Sequence, residues 1–436
     1  MKVGIISLGC AKNRVDSEEV LSYFVRNGFL IVSEPSQADI LVVNTCGFIE
    51  AAKKEAIDTI FDTLKYGKFT VVIGCLVERY YSDLVKDIPE VDLFVPIKEY
   101  PNFGKHLTKA LEEKKYKFDK LEGSIDKDKR VLSTPSYQAY LQISDGCDNF
   151  CTFCAIPLIR GRFHSFDFKM LQDEIRDLAS KGIKEIVVIS QNTSVYGQDL
   201  KGQNVNICSV LREILKYDTF KFIKLLYLYP DQITDEFINL YKENPRLTPY
   251  FDVPIQHSED HLLKAMHRHG DKKLLINLFK KIKKEVPNAV IRTTLIVGFP
   301  SETDEDVDNL VSFIKDIRFD HLGVFKYSKE EGTLSSYMKE QIPSSIKTKR
   351  YNKVMKAQSA ISFSLNQKHV GEEMDMLVTS YDEDNMCYIA SCYLFAPDDI
   401  DGKVYLYSSK ELEIGQIVRG KIVNASVYDL DAELVI

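Results

Sequence analysis

The sequence predicts an α/β protein in three parts: a parallel α/β domain over 1–130, a partial (βα)6 barrel over 131–365, and a small antiparallel β-barrel over 366–436. Three observations predict this. Short apolar strands alternate with amphipathic helices before about residue 130 and again after it. A polar stretch over 113–136, with charges of both signs, a Gly and a Pro, separates the two runs as a linker. Beyond residue 366 helical patterning stops, and short strands follow one another between Asp, Gly and Ser turns.

In the first part, "KVGIISL" is a short apolar strand. The spacing predicts a helix from about Asp16, with Val20, Leu21, Phe24 and Val25 on one face and Asp16 and Glu19 at capping-box spacing. "ADILVVN" is the next strand, a helix follows over Glu50–Leu64, and "FTVVIG" is the third strand. Such alternation implies a parallel sheet covered on both faces. In the second part, strands are read at "YQAYLQIS", "KEIVVIS", "KFIKLLYL", "YFDVP", "NAVIRTTLIV" and "FDHLGVFKY", with helices such as Lys169–Ser180, Lys272–Lys284 and Asp304–Ile317 between them. Six strand–helix units imply a TIM-like partial barrel, with its site at the C-terminal strand ends. "SETDEDVD" looks like an acidic catalytic cluster, but Thr303 and Asp306 have capping-box spacing, and carboxylates favour the positive end of a helix. It reads as a helix start. In the third part, "EEMDMLVTSY", "NMCYIASCYLF", "GKVYLYSS" and "GQIVRGKIVNASVYDL" supply the strands of a small barrel, a form that binds nucleic acid or a protein partner.

The 436 residues are 44% hydrophobic and 28% charged, which excludes a disordered chain. No apolar run is long enough to span a bilayer, so no membrane association is expected. "MKVGIISLGCAKN" reads as a strand and loop without the features of a secretory signal, so a cytoplasmic protein is expected. In a reducing compartment, nine cysteines argue for metal or redox chemistry over disulfides. The net charge of −7 is uneven: residues 366–436 hold five Lys/Arg against fourteen Asp/Glu, a net of −9.

Cys147, Cys151 and Cys154 form C-x3-C-x2-C just after the first barrel strand. Three thiolates can hold three corners of a four-iron cubane and leave the fourth iron open, and an open metal position marks a reactive site. A zinc knuckle is the alternative. Zinc sites favour paired C-x2-C units, and only one is present here. Cys10, Cys46 and Cys75 form a second set, in "SLGC", "VNTC" and "VIGC". Each directly follows a predicted strand, and the C-terminal ends of parallel strands share one rim, so the three should meet. Singly, each is better read as a buried apolar residue; together they imply a second cluster with an open iron. Cys208, Cys387 and Cys392 match no ligand position.

The C-x3-C-x2-C loop at the end of a first barrel strand resembles the radical S-adenosylmethionine enzymes. That resemblance implies S-adenosylmethionine chelated to the open iron and cleaved by one electron to a 5′-deoxyadenosyl radical. With the second trio, the whole chain resembles the methylthiotransferases, which insert sulfur and a methyl group at a C–H bond. The resemblance implies two [4Fe-4S] clusters, on Cys147, Cys151 and Cys154 and on Cys10, Cys46 and Cys75. It also implies S-adenosylmethionine as both radical source and methyl donor, a TRAM-type C-terminal barrel, an external electron donor and a sulfur donor. Phe153 resembles the aromatic residue that packs on the nucleoside. Gln191 and Asn192 in "SQNTSVYG", Gln256 in "PIQH", and Arg292 and Gly298 in "RTTLIVGFPSET" are the other cofactor-binding residues expected near strand ends, although such polar groups often only satisfy backbone.

Two branches of the family differ in substrate: one modifies isopentenyladenosine in transfer RNA, the other an aspartate β-carbon on the twelfth protein of the small ribosomal subunit. "SLGCAKNRVDSE", "YFDVPIQH" and "VFKYSKEEGT" resemble the second branch. The electrostatics agree. A module of net −9 repels phosphate at close range and attracts a basic protein, which argues against transfer RNA as partner. A third reading is a non-catalytic iron–sulfur protein that binds RNA or senses redox state. It needs neither a six-unit barrel nor two incompletely ligated sites.

Overall fold

The computed structural model describes residues 1–115, 121, 123–125 and 130–435, so part of the linker expected over 113–136 lies outside the described residues. The chain forms two compact units. The first comprises Met1–Thr134, Ser144–Glu174 and Glu330–Thr333; the second comprises Pro135–Ile143, Ile175–Lys329 and Leu334–Ile436.

The first unit is built on a five-stranded parallel sheet in the order Leu30–Ile31, Lys2–Ser7, Ile40–Thr45, Phe69–Gly74, Leu93–Val95. Ile40–Thr45 and Phe69–Gly74 are buried along their whole length, as near-continuous apolar strands between helical layers must be. The helices Glu50–Leu64 and Cys75–Asp87 follow those strands directly. The helix expected from Asp16 begins instead at Ala11, with Cys10 at its N-cap and no side-chain cap. Asp16 and Glu19 therefore form no capping box; both are buried inside the helix. Asp16 tolerates burial because Arg160 pairs with it at 2.5 Å.

In the second unit, six parallel strands form an arc. Phe222–Leu225, Glu185–Ile189 and Gln138–Gln142 make one sheet; Tyr250–Asp252, Val290–Val297 and His321–Lys326 make the other. The Leu228 N–H donates to the Asp252 carbonyl at 2.9 Å, and Ile223 bridges Leu247, which joins the two. The helix Asp304–Ile317 starts at the expected capping box: Thr303 accepts from the Asp306 N–H at 3.2 Å, and the Asp306 carboxylate accepts from the Thr303 N–H at 2.8 Å. His261, His267 and His269 are exposed at the surface.

The C-terminal barrel closes from five strands: Glu373–Asp382, Cys387–Ser391, Val404–Tyr407, Leu430–Leu434 and Ile417–Ala425. The expectation of a wholly antiparallel barrel needs one correction. Val404–Tyr407 pairs in parallel with Leu430–Leu434, because the Ile417–Ala425 strand intervenes in the chain and completes the ring. Cys208, Cys387 and Cys392 are all buried core residues. The segment from Ser391 onward meets side chains from five strands of the arc. Lys224 Nζ donates to Ser391 Oγ at 3.2 Å, Tyr140 to Asp398 at 2.5 Å and Tyr250 to Asp401. His321 Nε2 lies 2.6 Å from the Leu394 carbonyl, and Arg292 Nε pairs with Asp401 at 3.0 Å.

Candidate active site

Cys10, Cys46 and Cys75 follow the adjacent strands Lys2–Ser7, Ile40–Thr45 and Phe69–Gly74 on one rim of the sheet, as expected. One side chain ties the three strand ends together. Asn13 Nδ2 donates to the carbonyls of Leu8 and Thr45, both at 3.0 Å, and Asn13 Oδ1 accepts from the Cys75 thiol at 3.4 Å. Asn44 Nδ2 fixes Asn13 in turn through its carbonyl at 2.7 Å. The approach is tight: a Cβ on Gly47 would lie 2.8 Å from both the Cys75 carbonyl and the Leu76 nitrogen. Gly9 lies against the Cys46 side chain. The trio grades from exposed Cys10 through half-buried Cys46 to buried Cys75.

Burial pushes the Cys75 thiol up to about 12, and the Arg160 guanidinium pulls it back. Burial likewise raises Cys46. Such thiols stay protonated and inert until a metal displaces the proton. Cys10, Cys46 and Cys75 carry free thiols, so the trio offers three thiol donors. Among the described residues, no three His, Cys, Asp or Glu side chains are grouped to hold one metal ion. A cubane requires a wider set, because each thiolate binds a different iron.

The second trio also lies in the first unit, in a loop opened by Ser144–Asp145 and closed by its antiparallel partner His164–Ser165. The Cys147 N–H donates to the Gly161 carbonyl at 3.3 Å, and the Cys154 N–H to the Cys151 carbonyl at 2.9 Å. The Ile156 N–H points at Cys154 Sγ at 3.5 Å, a donor that favours a charged sulfur. Phe153 is half-buried between two of these cysteines. The short helix Ile156–Ile159 follows, and Arg160 caps its C-terminus.

Sequence reasoning missed two features of this unit. The first is Arg160. Its buried guanidinium reaches Asn13 Oδ1 at 2.9 Å, Asp16 at 2.5 Å, Cys75 Sγ at 3.4 Å and Asp145 at 3.5 Å. The second is Glu330 in "SKEEGT". It pairs with Arg79 at 2.9 Å and Lys53 at 3.1 Å, and accepts from the Glu50 N–H at 3.0 Å. Arg79 also holds the Gly47 carbonyl at 3.0 Å, directly after Cys46. No local pattern signals Glu330, because Arg79 lies 251 residues away in the sequence and burial shows only in the fold.

In the second unit, Gln191 and Asn192 follow the strand Glu185–Ile189, Gln256 lies beyond Tyr250–Asp252, and Gly298 directly follows Val290–Val297. All four are on the C-terminal rim of the parallel arc. Asn192 is buried, and its Oδ1 has no hydrogen-bond partner among the described residues. Gln256 is held in the left-handed region at φ 72° by bonds to Thr294 and from Ile296, both 2.8 Å. Non-glycine residues so strained concentrate at functional sites. A buried acceptor without a donor fits the ammonium group of an amino-acid-like cofactor.

One expectation at this end needs correction. Arg292 does not stand with the strand-end residues. It is the third residue of an eight-residue strand, roughly 15 Å short of the rim at strand rise. Its guanidinium is engaged by Asp252 at 3.0 Å and Asp401 at 3.0 Å. At Gly298 the close neighbour is Lys347: an added Cβ would lie 2.3 Å from its Cγ, at φ 73°. The Gly298 N–H donates to Glu302 at 2.6 Å.

Residues 2–96 match the uncharacterized protein family UPF0004, residues 141–314 the radical SAM superfamily and residues 370–435 the TRAM domain. The ribosomal protein uS12 methylthiotransferase RimO of Alkaliphilus oremlandii is 44% identical over 439 residues, covering 100% of this chain and 99% of that protein. The same-named protein of Clostridium botulinum is 42% identical, covering 98% and 97%. Among solved structures, the radical S-adenosylmethionine methyltransferase TsrM of Kitasatospora setae, with cobalamin and a [4Fe-4S] cluster bound, has a similar fold. Its TM-score is 0.53 at 13% identity, over 74% of each chain. Relatives of this name match the chain along almost its whole length at more than 40% identity, and this chain belongs to the ribosomal protein uS12 methylthiotransferase family of radical S-adenosylmethionine enzymes.

Proposed function

We propose that the chain methylthiolates the β-carbon of an aspartate on ribosomal protein uS12, with Cys147, Cys151 and Cys154 holding one [4Fe-4S] cluster and Cys10, Cys46 and Cys75 the other. One observation carries the reading: two three-cysteine sets share one compact unit, and Asn13 gathers the strand ends of the first. When bound, the clusters and S-adenosylmethionine supply radical abstraction of hydrogen from the substrate carbon and the sulfur that replaces it. The chain's residues hold and orient. Asn192 Oδ1 would accept from the methionyl ammonium, and Gln191 and Gln256 would serve the cofactor from the same strand-end rim. Phe153 would pack on the nucleoside. Gly298 shapes the rim through its backbone, and Arg292 acts through the C-terminal segment it binds. No side chain is assigned as a general base.

The acidic segment 366–436 supplies the attraction for a basic ribosomal protein. The reading divides the chain functionally into 1–130, 131–365 and 366–436, and places it in the cytoplasm with an external electron donor and a sulfur donor. Among the described residues no helix is long and apolar enough to cross a membrane. The test incubates the reduced, reconstituted enzyme with S-adenosylmethionine and either uS12 or transfer RNA. A methylthio mass gain on uS12 is expected; gain on transfer RNA alone overturns the reading.

A further inference from the structure

We propose that Arg160 is a positioning residue that sets the reduction potential of the cluster held by Cys10, Cys46 and Cys75, through its hydrogen bond to Cys75 Sγ. The inference rests on the cluster assignment above and deepens it. Arg160 belongs by sequence to the other cysteine loop, six residues beyond Cys154. Its guanidinium nonetheless donates to Cys75 Sγ at 3.4 Å, with its side chain 2% exposed. Water therefore neither competes for that donor nor screens its charge.

The geometry is held from several sides. Asp16 and Asn13 share Nη2 with the sulfur, at 2.5 and 2.9 Å. Asp145, two residues before Cys147, lies 3.5 Å from Nη1. Nη1 is buried and makes no hydrogen bond among the described residues, so donor capacity remains for added negative charge. Backbone closure of the loop, Cys147 N–H to the Gly161 carbonyl at 3.3 Å, fixes the base of the side chain. A full positive charge that donates to a ligand sulfur stabilises the reduced, more negative cluster and raises its potential. Asp16 opposes this by partly neutralising Arg160. One residue thereby joins the loop of one trio to a ligand of the other.

The opposed signs give a test that mere structural support does not pass. In the full-length chain reconstituted with both clusters, the midpoint potential of each is read by redox titration followed by electron paramagnetic resonance. The uncleavable aza analogue of S-adenosylmethionine marks the signal of the cluster that binds it. Arg160→Gln is expected to lower the potential of the other cluster, Arg160→Lys to restore part of it, and Asp16→Asn to raise it. Unshifted potentials in Arg160→Gln and Asp16→Asn overturn the inference. If Arg160→Gln loads less iron than the parent, the opposite shifts of Arg160→Lys and Asp16→Asn decide instead, and their absence overturns it equally. A parent enzyme that carries both clusters but leaves uS12 unmodified overturns the functional reading without moving these potentials.

Discussion

Asn13 and Gly47 do different work on the same three cysteines. Asn13 supplies directed bonds that bring three strand ends into register. Gly47 supplies only the lack of a side chain, so that the loop after Cys46 can lie on the backbone at Cys75. Gly47→Ala adds one methyl where backbone atoms stand at 2.8 Å, and overpacking of this kind costs about 1–3 kcal/mol or displaces the loop. The expected result is loss of the cluster on Cys10, Cys46 and Cys75, with cleavage of S-adenosylmethionine retained. Iron analysis and 5′-deoxyadenosine assay of the same sample check it; retained iron with lost cleavage contradicts it. Arg160 and Asp16 were not legible in the sequence for a plain reason. They pair across 144 residues, and no local pattern announces a contact of that span.

At the scale of elements, the strands and most helices were legible because burial on two faces leaves continuous apolar runs, and burial on one face leaves a helical period. The first helix was misplaced at its start because Asp16, Glu18 and Glu19 are buried with partners, so its charged residues imitate a solvent face. The role of Arg292 was misjudged because strand membership does not reveal depth along the strand. Its partner Asp401 belongs to the C-terminal segment that docks within the second unit. Burial pushes the Asp401 carboxyl up, but the charges of His321 and Arg292 and the Tyr250 hydroxyl outweigh burial and hold it below the usual carboxylate range. A carboxyl with a depressed folded pKa stabilises above its unfolded value, about 3.9, and that stability is lost as pH falls through the folded value. Acidification through about pH 4 and below should therefore weaken the parent more steeply than Asp401→Asn. Denaturant unfolding at several pH values checks this; parallel pH curves contradict it.

At the scale of the whole molecule, charge is segregated: residues 366–436 carry a net of −9 within a chain of net −7. An exposed acidic surface raises encounter rates with a basic partner, and salt screens the effect within a Debye length of about 10 Å at 0.1 M. Reversing the exposed pair Glu383 and Asp384 to Lys is expected to raise KM for uS12 several-fold at low salt and little at high salt. Cleavage of S-adenosylmethionine without uS12 should be unchanged; steady-state assays across a salt series check both. The decisive claim is that one polypeptide holds two cubanes on two separate cysteine trios. The most direct measurement is iron and sulfide per chain in anaerobically prepared enzyme, beside variants with either trio replaced by Ala. About eight irons are expected in the parent and about four in each variant. About four irons in the parent, or zinc in place of iron at either trio, would contradict it.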